Sequence, residues 1–212
     1  MRKILVPLIG VFSLLAVAAQ AGSIRISAFG DSLVQGYGLV QGQGFVPQLQ
    51  RWLVDQGRDV VVVNSGVSGD TTAGGAERVD WALEDQVTGM IVVLGGNDLL
   101  RGLDPAEARA NLERIVTTAQ ARGVAVMLIG MQAPGNYGPE YKAEFDAIYP
   151  DLAQAHGLHL FDSFFAGFAD VEGDLAALGK LMQPDGIHPN AAGVARIVEA
   201  MGPSVLRFVD SL

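Results

Sequence analysis

The sequence predicts an α/β domain in which a parallel β-sheet lies between layers of helices. Three observations carry that expectation. Short runs rich in Val and Ile recur with little polar alternation, the pattern of strands covered on both faces. Longer segments with apolar residues at helical spacing separate them. The two kinds of segment alternate along the chain, which is the order of an α/β fold, not of helices and strands in separate blocks.

Taken in order, the first strand is expected over Ile24–Phe29. Phe45–Gln56 follows as a helix, with Phe45, Leu49, Trp52 and Leu53 on one face and Gly57 as its stop. Val60–Asn64 is the second strand and Met90–Leu94 the third. Asp104–Arg122 carries a strong helix start: Asp104 as N-cap, Pro105 at the first helical position and Glu107 completing a capping box, with Gly123 ending it. Val124–Gly130 and Leu158–Phe161 are the fourth and fifth strands. Between them, Glu140–His156 is a helix that Pro150 is expected to kink or split. Pro189–Leu212 closes the chain as a helix interrupted at Gly202-Pro203. No repeat, linker or low-complexity stretch breaks the pattern, so one domain is expected.

That domain is expected to span residues 22–212. Arg2 and Lys3, the apolar run Ile4–Val17 and the small residues of Ala19-Gln20-Ala21 have the layout of a secretory signal, residues 1–21, with cleavage after Ala21. The apolar run is short for a membrane span, which needs roughly 20 residues. No stable membrane insertion is expected after cleavage, and the destination is the periplasm or the exterior. Losing Arg2 and Lys3 takes the formal charge from −9 to −11. An acidic surface argues against nucleic acid as a partner and against docking on anionic lipid. There is no cysteine, which excludes disulfides and cysteine-ligated zinc, and no His-Glu-x-x-His. No metal or cofactor is expected, and the protein is expected to be a monomer.

The chemistry-bearing residues lie far apart in sequence. Ser32 follows the first expected strand directly, where ligands of open α/β sheets collect. Gly30 permits a tight turn there, and a following helical turn would aim N–H groups at developing negative charge. Asp185 and His188 stand three apart in a stretch punctuated by Pro184, Gly186 and Pro189. A helical turn would let Asp185 fix the imidazole tautomer and leave the other ring nitrogen facing Ser32 as general base. His156 and His159 flank Gly157 at the end of an expected helix and read as structural. Gly69 and Asn97 each follow a strand. A glycine lets a backbone N–H approach a substrate oxygen closely, and the Asn97 amide adds a donor without charge. Each motif alone is ordinary turn or cap chemistry. Together they supply a nucleophile, a base, an orienting carboxylate and oxyanion donors.

These segments resemble the four signature blocks of the SGNH, or GDSL, hydrolase superfamily: Phe29-Gly30-Asp31-Ser32-Leu33, Ser68-Gly69-Asp70-Thr71-Thr72, Leu94-Gly95-Gly96-Asn97-Asp98 and Asp185-Gly186-Ile187-His188-Pro189. The similarity is closest to its secreted bacterial arylesterases, acyl thioesterases and lysophospholipases. It extends to Asp98–Gly102, Met131-Gln132, Asn136-Tyr137-Gly138 and Ala147–Pro150, and is least over Phe164–Lys180 and beyond Asn190. The resemblance implies a flavodoxin-like three-layer α/β/α sandwich with a five-stranded parallel sheet, and a metal-free hydrolase of small-molecule acyl esters or thioesters. It implies Ser32 as nucleophile, His188 as base and Asp185 as its orienter. It implies an oxyanion hole made of the Ser32 and Gly69 N–H groups with the Asn97 side chain.

Four other readings compete. Gly66-Val67-Ser68-Gly69-Asp70 approaches the Gly-x-Ser-x-Gly elbow of α/β-hydrolases, with Asp70 where the second glycine belongs and Ser68 as nucleophile. Gly36–Gln41 approaches a dinucleotide fingerprint but fails at its last glycine. A carbohydrate O-acetyl esterase of the same superfamily and a non-catalytic exported binding protein are the other two. For an apolar substrate groove, Leu99, Leu100, Leu103, Tyr137, Met182 and Ile187 are the candidates in loops at the sheet edge. The 98–102 segment, bracketed by Gly95-Gly96 and Gly102, is a candidate mobile loop.

Overall fold

The Val/Ile-rich runs pair into a single five-stranded sheet, parallel throughout, in the order β2-β1-β3-β4-β5. Its strands are β1 (Ile24–Gly30), β2 (Val60–Gly66), β3 (Gly89–Val93), β4 (Ala125–Ile129) and β5 (His159–Phe161). The computed structural model describes residues 24–83 and 86–212; the expected signal, 1–21 with cleavage after Ala21, lies outside the described residues. β3 is buried along its whole length, as its uninterrupted Met-Ile-Val-Val run demands. β2 departs from that expectation because it is an edge strand: Val61 is exposed while Val60 and Val62 are buried. Gln50 covers this edge, donating to the Val60 carbonyl (2.7 Å) and accepting from the Val62 N–H (2.8 Å).

The helices lie in layers. The short α1 (Ser32–Gln35) leads to α2 (Phe45–Asp55). Next come α3 (Thr72–Ala82), the short α4 (Gly96–Arg101), α5 (Pro105–Ala121), α6 (Pro139–His156), the short α7 (Leu175–Gly179) and α8 (Ala191–Val209). α2 packs on α8 to form one layer; α5 packs on both α3 and α6 to form the other. The chain thus leaves β1 toward one layer and β2 toward the other. That reversal opens a crevice at the carboxyl end of β1, where ligands of doubly wound sheets bind.

Several helices differ from the sequence expectation. α3 was not anticipated, because Gly74-Gly75 depresses helix propensity. A Cβ at Gly75 would collide with Leu94 and crowd Ile115 (3.3 Å) and Phe29 (3.4 Å), so the glycine sets how closely α3 approaches the sheet. Pro150 does not split α6, which runs unbroken from Pro139 to His156. Pro150 is exposed, so the one missing N–H bond falls on the solvent side. Likewise α8 continues through Gly202-Pro203 with Pro203 exposed. Gly202 is there for packing: a Cβ would stand 2.6 Å from the Trp52 ring.

Candidate active site

Ser32 is the first residue of α1, immediately beyond β1. Asp31 caps the helix, its Oδ1 accepting the Leu33 N–H at 2.9 Å, and Gly36 ends the helix in a left-handed conformation (φ 86°). The turn is tight because Gly30 has no Cβ; one would meet Val34 and the Val93 carbonyl.

His188 is delivered from 156 residues away, its Nε2 lying 2.8 Å from Ser32 Oγ. Its Nδ1 lies 2.7 Å from Asp185 Oδ2, while Asp185 Oδ1 accepts the N–H groups of Ile187 (2.9 Å) and His188 (3.0 Å). The expected i, i+3 pairing is present, but its cause is different from a helical turn. Gly186 is left-handed (φ 68°), and the carboxylate itself closes the loop. The Gln183 N–H donates to the His188 carbonyl (2.8 Å) and the Asn190 N–H to the Leu181 carbonyl (2.8 Å), clamping the loop before Asn190 caps α8. The backbone N–H of His188, then its ring, then the Ile187 N–H hold the Asp185 carboxyl down to about 2. Tyr37 lies against the imidazole, with ring centroids 4.8 Å apart.

Gly69 and Asn97 leave the ends of β2 and β3, the strands on either side of β1. Among the described residues, neither the Ser32 nor the Gly69 N–H has a hydrogen-bond partner, so both remain available to an anion. Gly69 is left-handed (φ 84°) and its carbonyl is taken by Arg101 Nη2 at 2.9 Å. The Asn97 Nδ2 donates to the Asp70 carbonyl (2.9 Å), with a longer contact to Asp31 Oδ2 (3.3 Å). Asp31 is 1% exposed, and burial raises its carboxyl to about 6.

The segment 98–102 is not an open loop. Most of it belongs to α4, and Asp98 is buried with Oδ1 and Oδ2 accepting Thr72 Oγ1–H (2.6 Å) and N–H (2.9 Å). Gly102 packs on Tyr137, where a Cβ would stand 2.9 Å from the ring. These contacts pack the segment against Thr72 and Tyr137.

A cleft of about 1010 Å³ opens over Ser32 and His188, at the upper limit of small-molecule sites. Gly69, Asn97, Leu99, Leu100, Tyr137, Met182 and Ile187 line it; Leu103 does not. The wall that sequence reasoning missed is made by Phe165, Phe168 and Leu178, in short helical turns without a periodic pattern. Asp162 and Glu172 also line the cleft, and no lysine or arginine does among the described residues. Ser68, the elbow candidate, is exposed and its hydroxyl donates to Gln35 Oε1 (3.0 Å).

An α/β/α sandwich carrying a Ser-His-Asp array at the carboxyl edge of its sheet defines a serine hydrolase class. The model of the GDSL-like lipase/acylhydrolase family matches residues 28–196, and the chain belongs to that family of carboxylic ester hydrolases. The chain is 38% identical over 206 residues to esterase TesA of Pseudomonas aeruginosa, covering 97% of this chain and 98% of that protein. It is 33% identical over 195 residues to thioesterase 1/protease 1/lysophospholipase L1 of Escherichia coli K12, covering 91% and 88%. The psychrotrophic esterase EstA of Pseudoalteromonas sp., solved after inhibition by monoethylphosphonate, superposes with a TM-score of 0.78 at 32% identity, covering 88% of this chain and 98% of that one.

Proposed function

We propose that Ser32 is the nucleophile through which this acyl-ester and thioester hydrolase turns over. The reading rests on one observation, the continuous relay from Asp185 Oδ2 through His188 to Ser32 Oγ at 2.7 and 2.8 Å. The Ser32 hydroxyl attacks the acyl carbon as its proton passes to His188 Nε2. Asp185 keeps the other ring proton on Nδ1, which leaves Nε2 free to accept. The Ser32 and Gly69 N–H groups, with the Asn97 Nδ2–H that exchanges its long contact to Asp31 Oδ2 (3.3 Å) for the substrate, stabilise the charge that develops on the carbonyl oxygen. His188 returns its proton to the leaving alcohol or thiol, an acyl-enzyme remains on Ser32, and water repeats the sequence to free the acid.

The cleft supports substrates with apolar groups. Leu99, Leu100, Tyr137 and Ile187 line it together with Phe165, Phe168 and Leu178, a lining suited to acyl chains. The absence of a lining cation among the described residues disfavours a polyanionic thioester such as acyl-CoA. Among the described residues no helix is long and apolar enough to cross a membrane. The layout of residues 1–21 supports export of a mature domain, 22–212, which we read as a monomer acting on small esters outside the cytoplasm.

Hydrolysis of p-nitrophenyl esters from acetate to palmitate tests the reading. Wild type is expected to be active and Ser32→Ala inactive. Undiminished turnover by Ser32→Ala with Ser68→Ala inactive would transfer the role of nucleophile to Ser68.

A further inference from the structure

We infer that Arg78, which touches no part of the cleft, is the positioning residue that holds the three oxyanion donors in register. This rests on the roles assigned above to Ser32, Gly69 and Asn97. Arg78 projects from α3, and its side chain is 16% exposed. Its guanidinium donates from Nη2 to the Gly30 carbonyl (2.8 Å), from Nη1 to the Ser65 carbonyl (2.9 Å) and from Nε to Asp70 Oδ2 (2.5 Å). Its Cζ lies over the Phe29 ring, 4.2 Å from the centroid.

Each anchored group belongs to a segment that carries one donor. Gly30 ends β1, two residues before Ser32. Ser65 lies at the end of β2, ahead of the turn that presents Gly69. Asp70 follows Gly69, and its own carbonyl is the acceptor that orients the Asn97 amide (2.9 Å). One planar cation thus ties together the supports of all three donors. The fit is closed from the far side: a Cβ on Gly74 would collide with the Asp70 carboxylate at 2.5 Å.

Guanidinium geometry is what the position requires. Its donors diverge in one plane, so three acceptors on three segments are held at fixed angles. A lysine places charge beside Asp70 but cannot span all three. Oxyanion stabilisation depends on donors fixed before reaction begins. Loss of Arg78 therefore loosens the transition-state site while leaving the apolar cleft that binds the ground state.

The test is steady-state kinetics on a p-nitrophenyl ester with Arg78→Ala and Arg78→Lys, each assayed well below its own Tm. The expected result is a fall in kcat of roughly 10- to 100-fold in both, with KM within about twofold of wild type. Guanidinium ion added to Arg78→Ala is expected to recover part of the lost kcat and to leave wild type unaffected. Arg78→Lys carries the test if Arg78→Ala does not fold, and Arg114→Ala, which removes a surface pair with Glu77, is the control expected to match wild type. A kcat within about fivefold of wild type in Arg78→Lys, or kcat and KM moving together, overturns the inference and leaves Arg78 a stability residue. Activity that survives Ser32→Ala overturns the nucleophile assignment instead, so the two failures are told apart.

Discussion

Asp185 grips His188 twice: one carboxylate oxygen takes the ring Nδ1 at 2.7 Å and the other takes the backbone N–H of the same residue at 3.0 Å. The loop geometry and the imidazole tautomer therefore depend on the same side chain. Asp185→Asn retains an oxygen for the backbone donors but turns an N–H₂ toward the ring. The expected outcome is a fall in kcat of about 10⁴-fold with a small change in KM, as for loss of the tautomer-fixing acid in other triads. Initial-rate kinetics on an aryl ester check it.

The same grip fixes a pH dependence. With its native carboxyl at about 2 against an ordinary 3.8, Asp185 adds stability that is fully present above pH 3.8 and is lost as pH falls through about 2. Thermal melts of wild type and Asp185→Asn are expected to converge toward pH 2 and to separate above pH 4.

Asp31 acts in the opposite sense. Burial raises it to about 6 from 3.8, so at neutral pH the folded protein holds a charge that the unfolded chain solvates better. Its stabilising difference is complete below pH 3.8 and lost as pH rises through about 6. Asp31→Asn keeps the acceptor for the Leu33 N–H and removes the charge. At pH 8 this variant is expected to gain about 3 kcal/mol over wild type, and at pH 4 to gain little. Denaturant melts at the two pH values measure the difference.

Asn97→Ala removes a donor without touching the relay. In its proposed oxyanion role the amide binds the transition state better than the ester, so turnover is expected to fall by ~10²–10³-fold with KM nearly unchanged. If kcat and KM both stay near wild type, Asn97 is no oxyanion donor.

Thr72→Val tests the anchoring of α4. Its hydroxyl donates to buried Asp98 and accepts from Asn111 Nδ2 (3.2 Å), so the variant leaves the Asp98 carboxyl and the Asn111 amide each short of a partner. A loss of about 2–3 kcal/mol in unfolding free energy is expected by equilibrium denaturation.

The central features were legible because their signals are local. Met90–Leu94 is apolar without alternation, and the strand lies at the centre of the sheet. Asp185 and His188 sit in one Gly/Pro-bounded loop, so their pairing was visible from spacing even though the left-handed Gly186 was not. What escaped sequence reasoning depends on contacts between distant segments. Gly74-Gly75 hid α3, although Ala76, Val79 and Ala82 repeat at helical spacing and are buried. Nothing in the sequence singles out Arg78, since Gly30, Ser65 and Asp70 meet only once β1, β2 and α3 assemble. The Phe165–Leu178 wall is built from short turns, which leave no period to read.

Labelling with a fluorophosphonate, followed by peptide mass spectrometry, tests the central claim most directly. The account predicts stoichiometric modification of Ser32, abolished in Ser32→Ala and slowed in His188→Ala. Modification of Ser68, or undiminished labelling of Ser32→Ala, would contradict it.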